Sequence, residues 1–394
     1  MLNIAMHHSN TRNHPLANAL SCVALTLLTT VAVAAVPKAP SQVCVGSNCV
    51  STTDSPATGI KWHPGHYMML RSRHRNPTKE LPWIDAIGKE SNIQGVLVIW
   101  LWSDLESAKG QYDFSSIDLY LNRMKSLPQP KRLIIRIEER AFNTTTGTSG
   151  PAYLRSDPVY NGGEVAMANG TVVRTWEAPV MDRMIALHQA LGKKYDSDPY
   201  VEGISTEETA IGFSSVHPAP SGFSNAAVLT QFERLGGAAR AAFPHSNVFM
   251  TTNYLGSDTQ MEELIKYSVA NRLAIGGPDT WGRSFVDANK RVLQSDAIAR
   301  GLKGSTTDYR GLAAIKAEVE DTELGGYIAA FTPADLYDVA YNTLRANYMM
   351  WDRNDYAGGA AQKWDTGILP FIRSVGGKTV TDCPSSFNGT CVTK

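Results

Sequence analysis

The stretch Ile93-Gln94-Gly95-Val96-Leu97-Val98-Ile99-Trp100-Leu101-Trp102 decides the architecture. It is apolar almost throughout and rich in β-branched residues. It therefore reads as a strand buried on both faces, the environment of a parallel sheet covered by other layers. Similar runs follow at intervals. His66–Leu70 precedes it, and Lys131–Ile137, Tyr200–Ser205, Asn247–Thr252, Leu273–Gly276, Ala313–Val319 and Tyr348–Trp351 come after it. Helical spacing of apolar residues fills several of the gaps: Trp83–Glu90, Ile117–Ser126, Val180–Tyr195, Ala226–Ala242, Asp287–Arg300 and Pro333–Asn347. Eight strands alternating with helices predict an α/β fold, an eight-stranded (β/α) TIM barrel. The rival is an open doubly wound sheet, and no Gly-rich phosphate turn follows the first strand to support it. Ala141–Trp176, rich in Gly, Asn, Thr and Ser, reads as a long irregular insertion of the kind that usually serves function.

The chain has 394 residues, enough for one large barrel. Lys plus Arg and Asp plus Glu both number 37, so the basic excess that nucleic acid or an anionic membrane demands is missing. A neutral ligand suits that balance. The apolar run Leu16–Val36 behind Arg12 ends in Ala32-Val33-Ala34-Ala35, a pattern that signal peptidase cuts. This predicts a signal peptide over 1–35, a secreted or periplasmic protein, and no stable membrane insertion after cleavage. Cys22 leaves with the signal, and Cys44, Cys49, Cys383 and Cys391 remain as two close pairs. In an exported chain they read as two disulfides, either two small loops or one clasp joining the ends. The expected domains are a Cys-containing lead-in over 36–57, a catalytic barrel over 58–375 and a disulfide-bearing tail over 376–394.

In such a barrel the chemistry sits where strands end. The second strand runs into Trp102-Ser103-Asp104-Leu105-Glu106, the third into Glu138-Glu139-Arg140 and the fourth into Thr206-Glu207-Glu208-Thr209. The fifth ends in Asn253-Tyr254, the sixth in Asp279-Thr280-Trp281, the seventh in Glu318-Val319-Glu320-Asp321 and the eighth in Trp351-Asp352-Arg353. Carboxylates, Trp, Arg and Asn thus gather on one rim. Cleavage of a glycosidic bond needs one carboxylic acid to protonate the leaving oxygen and a second carboxylate to attack or to activate water. Neighbouring Glu residues on one strand point to opposite faces, so the pair must come from different strands.

The segment Trp102-Ser103-Asp104-Leu105-Glu106 … Gly110-Gln111-Tyr112-Asp113-Phe114 … Ile117-Asp118 resembles the stretch after the second barrel strand of clan A glycoside hydrolases, the β-galactosidase and cellulase superfamily. Lys194-Tyr195-Asp196-Ser197-Asp198-Pro199-Tyr200-Val201-Glu202-Gly203-Ile204 is similar to the approach to that superfamily's fourth strand. The resemblance implies a retaining mechanism, with the acid/base on the fourth strand and the nucleophile on the seventh. Carried over, the acid/base is Glu207 or Glu208, with Glu208 preferred. The nucleophile is Glu318 or Glu320, which share a face with Lys316, and Glu320 is preferred as nearer the rim. The superfamily's Asn-Glu is here Thr206-Glu207-Glu208, so Asn253 or another polar group would have to serve the sugar 2-hydroxyl.

Trp102, Trp281 and Trp351 are candidate sugar platforms, with core packing the competing role for each. Arg136 could orient a carboxylate through its planar fork or form a structural salt bridge. His66 is a candidate substrate contact or a packed imidazole. With His63 it lacks a third metal ligand, so no metal or organic cofactor is expected. Asn143-Thr144-Thr145, Asn169-Gly170-Thr171 and Asn388-Gly389-Thr390 match the glycosylation pattern, which recurs by chance. The reading is a glycosidase acting on an oligo- or polysaccharide. Its alternative is a catalytically inactive carbohydrate-binding barrel.

Overall fold

The computed structural model describes residues 42–45, 48–51, 59–71, 75–141, 148–253, 255–278, 280, 311, 313–319, 332–353, 363–387 and 389–393. All lie in the larger of the chain's two compact units, Pro37–Lys394. The expected signal peptide over 1–35, the helix at Asp287–Arg300, Trp281 and Glu320 fall outside the described residues.

Eight strands form a closed barrel: β1 (Gly65–Leu70), β2 (Ile93–Leu101), β3 (Arg132–Glu138), β4 (Val201–Ser205), β5 (Asn247–Thr251), β6 (Ala274–Gly277), β7 (Ile315–Val319) and β8 (Tyr348–Asp352). Each pairs in parallel with the next, and β8 closes on β1 with Tyr348 opposite Gly65. The expected TIM barrel is the observed fold. Alternation divides each strand between two cores. Tyr67, Met69, Leu97, Ile99, Ile134, Phe249, Tyr348 and Met350 fill the barrel interior. Their neighbours, among them Val96, Val98, Ile135, Ile204, Met250 and Trp351, pack outward against the helices.

Those helices are α1 (Pro77–Ala86), α2 (Ser115–Lys125), α3 (Ala178–Tyr195), α4 (Asn225–Ala242), α5 (Asp258–Ala270), α6 (Pro333–Asp338) and α7 (Leu369–Ser374), with a single-turn α-helix at Ala152–Ser156. Side-chain oxygens start several of them. Asn76 caps α1, Ser224 caps α4 and Ser257 caps α5, and Thr332 with Asp335 forms a reciprocal capping box on α6. Two expectations are corrected here. The α1 helix begins six residues before Trp83, because Pro77 occupies its first position, where a missing N–H does no harm. The described part of Ala141–Trp176 holds regular structure. Glu164–Met167 and Gly170–Val173 form a hairpin that pairs with Arg140–Ala141 in a three-stranded antiparallel sheet.

The N-terminal mouth of the barrel is sealed by polar contacts. Glu202 is fully buried and accepts from the backbone N–H of His63 (2.9 Å), from Tyr348 Oη (2.7 Å) and from Asn247 Nδ2 (3.2 Å), while its other oxygen faces His63 Nδ1 at 2.8 Å. Asp196, from the second resembling motif, accepts from His245 N and Ser246 Oγ, at 3.0 and 2.9 Å. That motif is a structural clamp at the base. The C-terminal tail covers the same end: Cys391–Val392 pairs with Ile60–Lys61, and Trp62 Nε1 donates to Thr381 O (2.8 Å). Cys383 is bonded to Cys391, a small loop, which rules out a clasp through either of them. Cys44 and Cys49 stand opposite each other in the hairpin of Gln42–Val45 with Asn48–Ser51. Among the described residues no helix is long and apolar enough to cross a membrane.

Candidate active site

At the C-terminal end of the barrel, charged side chains enter the interior from opposite strands. Arg136 is an inward residue of β3, and its guanidinium reaches two carboxylates at once. On one edge Nε and Nη2 donate to the two oxygens of Glu207, just past β4, at 3.0 and 2.6 Å. Nη1 donates to both oxygens of Glu318 on β7 at 2.8 Å. A single guanidinium therefore spans the gap between the β4 and β7 carboxylates. Glu207 retains 8% of its exposure and Glu318 1%.

Lys316, two residues before Glu318 on the same face of β7, lies beneath. Its ammonium donates to Glu318 Oε1, to Thr251 Oγ1 of β5 (2.9 Å) and to Ser205 Oγ of β4 (3.3 Å). Two cations and two anions thus balance where little of any of them is exposed to solvent, the condition under which buried charges persist. Burial opposes ionisation of Glu318, but Arg136 and Lys316 outweigh it and hold the carboxyl below the usual range. Burial likewise works against the charge on Arg136, and Glu207 and Glu318 together keep it well above its ordinary value.

Glu208 continues past Glu207 and accepts a hydrogen bond from Asn253 Nδ2 at the end of β5 (2.5 Å). The backbone behind the pair is fixed by Thr209, whose hydroxyl donates to Asn253 O (2.5 Å) and accepts from Asn253 N (2.8 Å). Glu139, at the end of β3, is buried and paired with Arg140 (2.6 Å). Burial pushes its carboxyl up, Arg140 pulls it down, and nearby Glu207 adds to the rise.

Of the residues singled out from the sequence, Arg136, Glu207, Glu208, Asn253 and Glu318 meet on this rim. Three others sit elsewhere or serve otherwise. Trp102 is fully buried and its indole donates to Glu106 Oε2 (2.8 Å). Glu106 also accepts from the backbone N–H of Gly110 (2.7 Å) and from Arg183 on α3 (2.7 Å). Gly110 has φ +75°, where a side chain is strained, so the first resembling motif folds as a hydrogen-bonded staple around Glu106. Trp351 and His66 are also buried, and they pair with each other: Trp351 Nε1 donates to His66 Nδ1 (2.8 Å), beside Tyr337 and Phe371 in the layer between sheet and helices. Burial lowers the His66 pKa to about 4, so this imidazole is neutral. Neither ring reaches the barrel mouth.

Lys316, Thr251 and Ser205 escaped the sequence reading as site residues. The available signal was a lysine inside the apolar run Ala313–Val319, since a charge on a buried strand requires a partner. Among the described residues no group of three or more His, Cys, Asp or Glu could hold a metal ion.

Comparison with solved structures adds the fold's relatives. The catalytic domain of beta-amylase from Paenibacillus polymyxa is similar with a TM-score of 0.58 and 10% identity, over 81% of this chain and 100% of that one. The endo-1,4-beta-mannanase from Rhizomucor miehei matches at 0.53 and 13% identity, over 82% and 99%. Endo-glycoceramidase II from Rhodococcus sp. matches at 0.51 and 12% identity, over 81% and 80%. This chain shares their barrel fold. The likeness spans 80% to 100% of these partners' lengths. No protein-family model matches the sequence, and no curated protein matches it.

Proposed function

We propose that the protein is a glycoside hydrolase that cleaves O-glycosidic bonds of an oligo- or polysaccharide with two glutamates. The observation that carries this reading is the Arg136 bridge, which ties Glu318 of β7 to Glu207, the immediate neighbour of Glu208 past the end of β4. Two carboxylates on facing strand ends are what the reaction requires. The named neighbours of the same fold, a beta-amylase, a mannanase and a glycoceramidase, support carbohydrate as the substrate class.

Glu318 takes the part of nucleophile. Its two cationic neighbours favour the carboxylate, the form that attacks an anomeric carbon. Glu208 takes the part of acid/base. Glu207 has both oxygens committed to the Arg136 fork, whereas Glu208 meets the neutral amide of Asn253. Asn253 stands beside the acid and can serve the sugar 2-hydroxyl, the task of the asparagine missing before Glu208. The mechanism is a double displacement with retention: Glu318 forms the glycosyl ester as Glu208 protonates the leaving oxygen, and Glu208 then activates water. No cofactor enters it. The cystine Cys383–Cys391 supports an oxidising compartment, secreted or periplasmic.

A screen for released reducing ends on a panel of glycans tests the reading. The wild-type protein should hydrolyse at least one of them. Glu208→Gln and Glu318→Gln should each lose about 10²-fold or more while melting as folded proteins. Saturable glycan binding without hydrolysis would establish the inactive-barrel alternative in its place.

A further inference from the structure

Lys316 is fully buried in the barrel interior, where lysine is seldom found. An ammonium has three donors and no acceptor, and all three find oxygen: Glu318 Oε1, Thr251 Oγ1 and Ser205 Oγ. Three strands contribute to this nest and a fourth makes room for it. A Cβ added to Gly276 on β6 would lie 3.0 Å from Lys316 Cβ, 3.1 Å from Cε and 2.4 Å from its carbonyl oxygen. The floor of the site is thus shaped around this lysine.

We propose that Lys316 is a positioning residue whose ammonium locks the Glu318 carboxylate from beneath, sharing Oε1 with Arg136. Glu318 then contacts two cations on different strands and has little freedom to rotate. The charged groups facing Lys316 are Arg136 from β3, Glu207 from the end of β4 and Glu318 from β7. β4 and β5 supply the Ser205 and Thr251 hydroxyls, and β6 only Gly276. Burial drives the Lys316 pKa down and Glu318 opposes that fall, while lysine in turn helps hold the Glu318 carboxyl low. The ammonium therefore supports the ionised carboxylate as well as its orientation. This inference rests on the Glu318 assignment above for its catalytic meaning, yet the contact itself can be tested without turnover.

The experiment follows the Glu318 carboxyl by carbon-13 NMR titration in glutamate-labelled protein, with Glu318→Gln assigning the signal. In Lys316→Met the Glu318 titration should move upward by about one unit, with circular dichroism and melting showing a retained fold. If glycan cleavage is detected, the acidic limb of its pH–rate profile should move the same way, and Lys316→Arg should restore part of the shift. An unmoved Glu318 titration in folded Lys316→Met overturns the proposal whatever the activity. A shifted titration in a protein whose Glu318→Gln variant keeps full activity upholds the lock and removes Glu318 as nucleophile. Should Lys316→Met fail to fold, the Ser205→Ala/Thr251→Val double variant replaces it. An upward movement of about half a unit supports the lock, and no movement overturns it.

Discussion

Replacing Arg136 with methionine probes the charge cluster at its centre. The four groups Lys316, Arg136, Glu207 and Glu318 sum to zero charge, and Arg136 alone contacts both carboxylates. Methionine keeps the stem of the side chain and deletes the fork. Two buried carboxylates would then share one ammonium, leaving a net negative charge where Glu318 retains 1% and Glu207 8% exposure. Breaking a buried ion pair from one side costs about 3–5 kcal/mol, because the orphaned partner stays desolvated. For a fold of roughly 350 residues the unfolding entropy is about 0.7 kcal/mol/K, so the melting point should fall by about 4–7 °C. The loss should depend on pH. Glu318 has a depressed native pKa, so its contribution is present above the unfolded carboxylate pKa of about 4.3 and disappears as pH falls through the native value. Arg136→Met removes that contribution and lets a carboxylate take up a proton. The gap between wild type and variant should therefore be widest near neutral pH and narrow below about pH 5. Differential scanning fluorimetry at several pH values measures both effects. A shift under 1 °C that is flat with pH would refute the buried-cluster reasoning.

Further outcomes follow from other sites. Glu106→Ala strips the acceptor from Trp102, Gly110 and Arg183 and should cost about 3 kcal/mol, read by urea unfolding. Cys391→Ser opens a loop closed over a sequence separation of 8 and should cost about 2.5 kcal/mol, with earlier proteolysis of the tail. His66 and His188 are buried with pKa values lowered to about 4 by burial. The unfolded chain binds their protons below about pH 6.5 and the native state does not, so stability should fall as pH drops from 6.5 to 4, by about 3 kcal/mol per histidine. His188→Leu should flatten that slope in pH-dependent melts.

The eight strands were legible because each is a short apolar run with burial on both faces. Helix α5 was not: its buried residues Met261, Leu264, Ile265 and Ser268 do fall at helical spacing, but the fourth is polar, which broke the apolar stripe. The hairpin within 141–176 turns at Ala168-Asn169, with Gly170 already paired to Met167, so its Asn-Gly dipeptide straddles the turn and the strand and also fits the glycosylation pattern. For the rim, position at a strand end located Arg136, Glu207, Glu208, Asn253 and Glu318. Parity was the information left unused for the rings. Tyr348 and Met350 face inward on β8, so Trp351 must face outward, and its partner His66 lies on the outer face of β1. Aromatic identity suggested sugar stacking, whereas alternation decides which side a ring occupies. The Lys316 nest was beyond sequence because it depends on register: Gly276 stands opposite Lys316, and three strands must bring their oxygens to one nitrogen.

The most direct trial is to incubate the protein with 2-deoxy-2-fluoro glycosides of the sugars in any glycan that the reducing-end screen finds hydrolysed, then map the label by mass spectrometry of the digested protein. A glycosyl adduct on the Glu318 side chain is the expected result. Attachment at Glu320 or any other residue, or turnover that releases the inverted anomer with no adduct at all, would contradict it.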